Sequence, residues 1–141
     1  MPEKHPYIEL IETYYQGCNQ ADTTLMLSTF CDDVVHYFTH HPPIEGAQNL
    51  ANYWMKMQPR INAQWQLDHA IVQGDECVIE WTMSWISPAQ QRELIRGAEW
   101  YVFRGDKIAE IRAYYLNRHI PYEHDNFELE GFPYSARSYS M

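Results

Sequence analysis

Positive charge is scarce in this chain: 10 lysines and arginines stand against 19 aspartates and glutamates, a net charge of −9. Such a surface repels phosphate backbones and anionic lipid, which argues against nucleic acid or a membrane surface as partner. Cysteine is sparse too. Cys18, Cys31 and Cys77 are scattered, odd in number and form no CxxC pair, so neither a disulfide framework nor a zinc knuckle is supported. Cys18 has no identifiable cation beside it to favour a thiolate and reads as a core thiol. No apolar run approaches the roughly 18 residues of a membrane span, and no secretory leader opens the chain, so a cytoplasmic location is expected. The patterns GxGxxG, GxSxG and the phosphate-binding loop are missing. Dinucleotide, hydrolase-elbow and nucleotide readings therefore lack their local supports.

What the chain has in quantity is aromatic surface: 11 Tyr, 5 Trp and 5 Phe. Aromatics at this density pack cores, and they also line ligand pockets and interfaces. With 141 residues, 45% of them hydrophobic, one domain can bury a real core without staples. Tyr7, Leu10, Ile11, Tyr14, Tyr15 and Cys18 fall at helical spacing and predict a first amphipathic helix. Asp22 is positioned to cap a short second helix, TTLMLSTF. Asp32-Asp33 then turn the chain into a strand, VVHYFT. Pro42-Pro43 end it, and Gly46 leads into a third helix, AQNLANYWMKM, presenting Leu50, Tyr53, Trp54 and Met57.

After Pro59 the period changes to two. AQWQLDHAIVQ, ECVIEWTMSWI, RELIRGAEWYVFR and KIAEIRAYYL predict four strands, the second and fourth entered through Gly74-Asp75 and Gly105-Asp106 turns. One face of the second carries Cys77, Ile79, Trp81, Met83 and Trp85. The expected architecture is an α+β domain over residues 1–116, with three N-terminal helices covering one sheet face. Residues 117–141 hold Tyr122, Phe127, Leu129, Phe132, Tyr134 and Tyr139. That is too aromatic for a free tail, so this C-terminal extension is expected to be a strap on the domain or on a neighbouring subunit.

The order helix, helix, strand, helix, four strands resembles the nuclear transport factor 2-like superfamily, in its SnoaL-like and ketosteroid isomerase-like branch. Three local signatures carry the resemblance over residues 5 to 116. They are YYQGCNQAD followed by LMLSTFCDDVV, the IEG turn, and the late hairpin WYVFRGDKIAEIRAYY. It implies a cone-shaped, curved, mostly antiparallel sheet whose concave face holds a small hydrophobic ligand. In ketosteroid isomerase a helix tyrosine and a protonated late-strand aspartate polarise the substrate oxygen, while another aspartate shuttles the proton. By the resemblance the tyrosine falls on Tyr14 and the late-strand acid on Glu99. The proton-shuttling aspartate falls on Phe38: the donor pair survives and the base is lost. Tyr101 and Phe103 share the face of Glu99. The same face is expected to bring Trp81, Met83, Trp85, Ile111 and Tyr115 to the ligand, joined by Tyr53 and Trp54 of the third helix.

Three histidines crowd one short stretch. His36 and Phe38 share a strand face, whereas His40 and His41 sit at the strand end. Adjacent histidines on extended backbone point apart, and neither HxH nor HExxH is present, so no metal site and no cofactor are expected. His40 or His41 is the candidate base in place of the lost aspartate, because histidine titrates near neutrality. A hydrogen-bonded rim is the bland alternative. Asp68 and His69 are neighbours on one strand and cannot both enter the cone without a bulge. His119 and His124 could cap the cavity if the strap folds back.

Two functions compete. The first is a cofactor-independent enzyme moving a proton on a small hydrophobic carbonyl or cyclic compound, in isomerisation, cyclisation or dehydration. The second is a non-catalytic domain of the same fold that binds a small ligand or serves assembly. The outer sheet face, with Val78, Glu80, Thr82, Ser84, Trp100, Val102 and Arg112, is more apolar than solvent requires, and a homodimer through it is expected.

Overall fold

The computed structural model describes residues 3–121 and 128–140. Tyr122, His124 and Phe127 lie outside the described residues. Helix α1 (Pro6–Gln20) starts where His5 Nδ1 accepts from the Tyr7 amide at 3.0 Å, with proline at its first position. Helix α2 (Thr23–Leu27) is capped by Asp22, whose Oδ1 accepts from the Leu25 amide at 3.0 Å. Such a cap stabilises a helix by about 1 kcal/mol. It ends earlier than the sequence pattern suggests, because Ser28 and Thr29 turn their hydroxyls back onto Leu25 and Met26 carbonyls. Phe30 therefore opens β1 (Phe30–Phe38), and Asp32-Asp33 sit in an irregular stretch of that strand rather than in a turn before it.

A two-residue β2 (Ile44–Glu45) precedes helix α3 (Ala47–Ile61). That helix runs one turn beyond its expected end, with Pro59 inside it. The Gln58 side chain fastens the helix end past Pro59. Gln58 Oε1 accepts from the Ala63 amide at 3.0 Å, and its Nε2 donates to the carbonyls of Ala63 (2.7 Å) and Asn19 (3.0 Å). Four long strands follow: β3 (Gln64–Gln73), β4 (Glu76–Ile86), β5 (Arg92–Arg104) and β6 (Lys107–Tyr115). They form one open six-stranded sheet in the order β2-β1-β6-β5-β4-β3. All pairs are antiparallel except β1 with β6. The result is the cone-like α+β fold.

Strand alternation sorts side chains onto two faces. The inner face packs Ile79, Tyr101, Phe103, Ile108 and Ile111 against Ile11, Met26 and Leu50 of the helices, all nearly inaccessible to solvent. The outer face of β1 and β6 is covered by the chain's own C-terminal residues: Leu129 and Phe132 pack on Tyr37, flanked by Val35 and Tyr114. The Glu130 amide donates to the Phe38 carbonyl at 3.0 Å, tying this strap down. Arg112, expected on an exposed face, is consequently buried beneath it. No described helix is long and apolar enough to cross a membrane.

Candidate functional site

The inner face does not close completely against the helices. A cavity of about 300 Å³ opens between α1, α3, β1 and strands β4 to β6. Its inner wall includes Tyr14, Tyr15, His36, Phe38 and Glu99, and its flanks Trp54, Trp65, Trp81, Met83, Trp85 and Tyr115. Met57, Arg60, Ile61, Pro88, His119 and Ile120 reach it from less buried positions and form the mouth. Backbone proximity makes room for one wall. A Cβ at Gly97 would stand 2.6 Å from Trp81 Cζ2, 2.7 Å from the Tyr114 carbonyl oxygen and 2.8 Å from Tyr115 Cβ. Only glycine lets the indole lie across β5 there.

Glu99 is 6% exposed and points into this space. Its Oε1 accepts two phenolic hydroxyls, from Tyr15 and, at 2.8 Å, from Tyr101. The helix hydroxyl that reaches Glu99 is thus Tyr15, not Tyr14. Tyr14 Oη instead accepts from Trp54 Nε1 at 2.8 Å. Burial, reinforced for Tyr15 and Tyr101 by the Glu99 carboxyl, pushes all three phenols well above their ordinary range, so they act as protonated donors.

The other Glu99 oxygen, Oε2, faces His36 Nε2 at 3.6 Å. His36 is fully buried and stacks on Phe38, with ring centroids 4.0 Å apart. Its Nδ1 lies 3.1 Å from the Tyr37 carbonyl, which can only accept, so Nδ1 carries a hydrogen. With Nδ1 so engaged, Nε2 is the ring atom turned towards the carboxyl oxygen. The gap is too long for a direct hydrogen bond, and it is near enough for one polar ligand atom to bridge.

His40 and His41 part company, as adjacent residues on extended backbone should. His40 is on the cavity wall with Nε2 3.0 Å from the Tyr115 hydroxyl. Burial, then His41 and His36, lowers its pKa from 6.5 to about 4, leaving it neutral and weakly basic. His41 is off the wall, its Nδ1 2.6 Å from the Pro42 carbonyl and its ring against Phe38 and Tyr53. Tyr53 and Trp54 line the cavity as expected for the third helix, but Tyr101 and Ile111 do not. Both are fully buried behind the wall, Tyr101 serving to hold Glu99.

Asp68 and His69 stay outside. The β3 bulge falls between Leu67 and His69, and Asp68 binds Thr82 Oγ1 (2.5 Å) and Gln66 Nε2 (2.9 Å) on the outer face. Among the described residues no three His, Cys, Asp or Glu side chains come together to hold a metal ion.

Several wall residues escaped the sequence reading. Tyr15 was legible only as a neighbour of Tyr14, and Trp65 only as an inward position of β3. Arg60 and Asn117 come from outside any motif, whereas His119 stands where a cap of the cavity was expected of it. His119 is held at the mouth by Glu93, which accepts from Ser87 Oγ (2.5 Å), His119 Nε2 (3.0 Å) and Arg118 (2.9 Å). The Ser87 bond first, then that of His119, with Arg118 adding to them, bring the Glu93 carboxyl down to about 2.

Comparison with known proteins agrees with this architecture. A protein of unknown function with a cystatin-like fold from Methylobium petroleophilum PM1 is 31% identical, with a TM-score of 0.80 over 96% of this chain and 91% of its own. A candidate polyketide cyclase from Xanthomonas campestris pv. campestris shares the fold at 19% identity, with a TM-score of 0.70 over 79% of this chain and 90% of its own. A protein with a ketosteroid isomerase-like fold from Catenulispora acidiphila DSM 44928, in complex with trimethylamine, does so at 15%, with a TM-score of 0.70 over 76% and 85%. No curated protein matches the sequence. Residues 11–111 match the SnoaL-like domain, and the chain belongs to that family.

Proposed function

We propose that this chain is a cofactor-independent enzyme that moves a proton on a small hydrophobic carbonyl or cyclic compound, in an isomerisation, cyclisation or dehydration. The observation that carries the reading is the buried His36–Glu99 couple, 3.6 Å apart, on the wall of an aromatic cavity. Titratable groups so placed are where acid–base chemistry is found. One member takes a proton from a substrate carbon. Tyr14, whose hydroxyl accepts from Trp54 and has the Cys18 thiol as its neighbour, turns its hydrogen to the substrate oxygen on which charge develops. The couple then returns the proton at a second carbon, or to a departing hydroxyl, and ends as it began. Tyr15 and Tyr101 hold Glu99 in place. His40, weakly basic, is the lesser candidate base, and His41 has no part in the route.

The fold neighbour described as a candidate polyketide cyclase is consistent with ring chemistry on such substrates. Phe38, standing where the resemblance expects a proton-carrying aspartate, favours the second reading, a binding or assembly domain. Hydrogen–deuterium exchange at the α-carbon of a panel of cyclic ketones separates them. The enzyme exchanges at least one of them, and Glu99→Gln slows exchange by about 10²–10⁴-fold, the usual contribution of one acid–base group. Absence of exchange in the whole panel, with ligand binding retained, leaves the binding domain.

We also propose a homodimer through the part of the outer face the strap leaves open, where Ile71, Leu94 and Trp100 are exposed. Sedimentation at micromolar concentration giving only a species near 16.8 kDa removes it.

A further inference from the structure

The mouth of the cavity differs chemically from its inner end. The inner end holds Glu99 and His36. Towards the mouth stand hydrogen-bond donors with nothing to donate to. Trp81 and Trp85 are 3% and 7% exposed, both line the cavity, and neither Nε1 has a hydrogen-bond partner among the described residues. A buried N–H without an acceptor is costly and uncommon in a native fold, and two on one cavity wall call for a ligand that accepts. By contrast, Trp54, another indole of the cavity, gives its Nε1 hydrogen to Tyr14.

Arg60 stands at the same mouth, and no carboxylate pairs with it among the described residues. Its place is set by the extra turn of α3 past Pro59, the turn that Gln58 fastens to Ala63 and Asn19. With a net charge of −9, the protein repels anions at long range, so any selection for one must come from a local cation. We infer that the ligand of this cavity is a planar ring compound bearing a carboxylate, its carboxylate turned to Arg60 at the mouth and its acceptor oxygens taken by the indole N–H groups of Trp81 and Trp85. The ring then lies along the aromatic flanks with its far edge at Glu99 and His36. A guanidinium matches a carboxylate in charge and in the geometry of two parallel hydrogen bonds.

This inference rests on reading the cavity as the ligand site. A matched pair of probes tests it: 2-naphthoate, and 2-acetylnaphthalene, which replaces the charged oxygen by a methyl group and leaves the carbonyl. Affinities are read by tryptophan quenching with the wild type, Arg60→Met and Arg60→Lys, both at an exposed position that leaves the core intact. The wild type is expected to bind naphthoate about tenfold more tightly than the ketone, the effect of one charge-assisted contact. Arg60→Met brings the two together, and Arg60→Lys keeps part of the preference. Trp85→Phe weakens both probes severalfold without changing their ratio. Equal affinities in the wild type, or a preference that survives Arg60→Met, overturn the inference and leave the cavity reading standing. If Arg60 serves only the end of α3, Arg60→Met lowers the melting temperature with the ratio unchanged, which likewise overturns it. Failure of both probes to bind removes the cavity reading together with the inference.

Discussion

The two faces of the sheet each bury a carboxylate, and their surroundings could hardly differ more. On the outer face Glu110 is pinned by permanent cations: Arg112 Nη1 at 2.7 Å, and Arg137 at 2.5 and 3.0 Å. Phe132 of the strap lies over the Arg137 guanidinium, 4.6 Å from ring centroid to Cζ. Burial alone would raise the Glu110 pKa, but Arg137 and Arg112 outweigh it and hold the carboxyl below its ordinary value. On the inner face Glu99 has two neutral phenols and one histidine, and no arginine or lysine pairs with it among the described residues. A carboxylate locked between guanidiniums serves structure. One held by phenolic donors beside an imidazole, on a cavity wall, is the one to which the proposed proton transfer is assigned.

Substitutions can break this contrast, beginning with the outer face. Arg112→Met leaves Glu110 buried with half its cations and is expected to lower unfolding free energy by about 3–5 kcal/mol in a denaturant titration, with proton exchange retained in the folded fraction. Glu99→Gln should do the reverse. It should raise the barrier to exchange by about 2.7–5.5 kcal/mol while the denaturation midpoint moves little. Should Glu99→Gln unfold the protein as Arg112→Met does, the two carboxylates are alike and the contrast fails. A smaller change tests the wall between the faces. Gly97→Ala pushes a methyl group into Trp81 and the Tyr114 carbonyl, with an expected stability loss of about 1–3 kcal/mol and weaker probe binding.

The smallest effect is a pH slope. His40 is depressed to about 4 from 6.5, so the unfolded chain takes up its proton first as pH falls. Its contribution to stability is fully present above 6.5 and is lost as pH drops towards 4. His40→Gln should flatten the fall in melting temperature across that window. An unchanged slope would mean that His40 titrates alike in both states.

Period and capping carried most of the fold. The four long strands, the hairpin turns and the Asp22 cap follow from side chains that alternate or repeat on a surface to be buried, and those patterns are local. The misplaced ends have local causes that composition hides: Ser28 and Thr29 back-bonding, and a glutamine that holds a helix end past proline. The site was half legible. Alternation put the β4 tryptophans on one face and Glu99 on one face with Tyr101 and Phe103, and the resemblance turned those faces inward. Tyr15 was not legible, because two successive helix tyrosines differ by about 100° of rotation, and which of them meets β5 depends on how the helix is rolled on the sheet.

By itself the amino-acid order determined the elements and the apolar face of the long strands, because burial of a periodic face is the dominant driving force and is written locally. Only the tertiary structure decided that His36 rather than His40 or His41 faces Glu99, that Tyr15 replaces Tyr14 as its partner, and that Arg60 and His119 meet at one mouth. These depend on the roll of a helix, the register of a parallel β1–β6 pair and a clamp between distant loops. They are angles and distances between elements, and no residue's neighbours in sequence encode them.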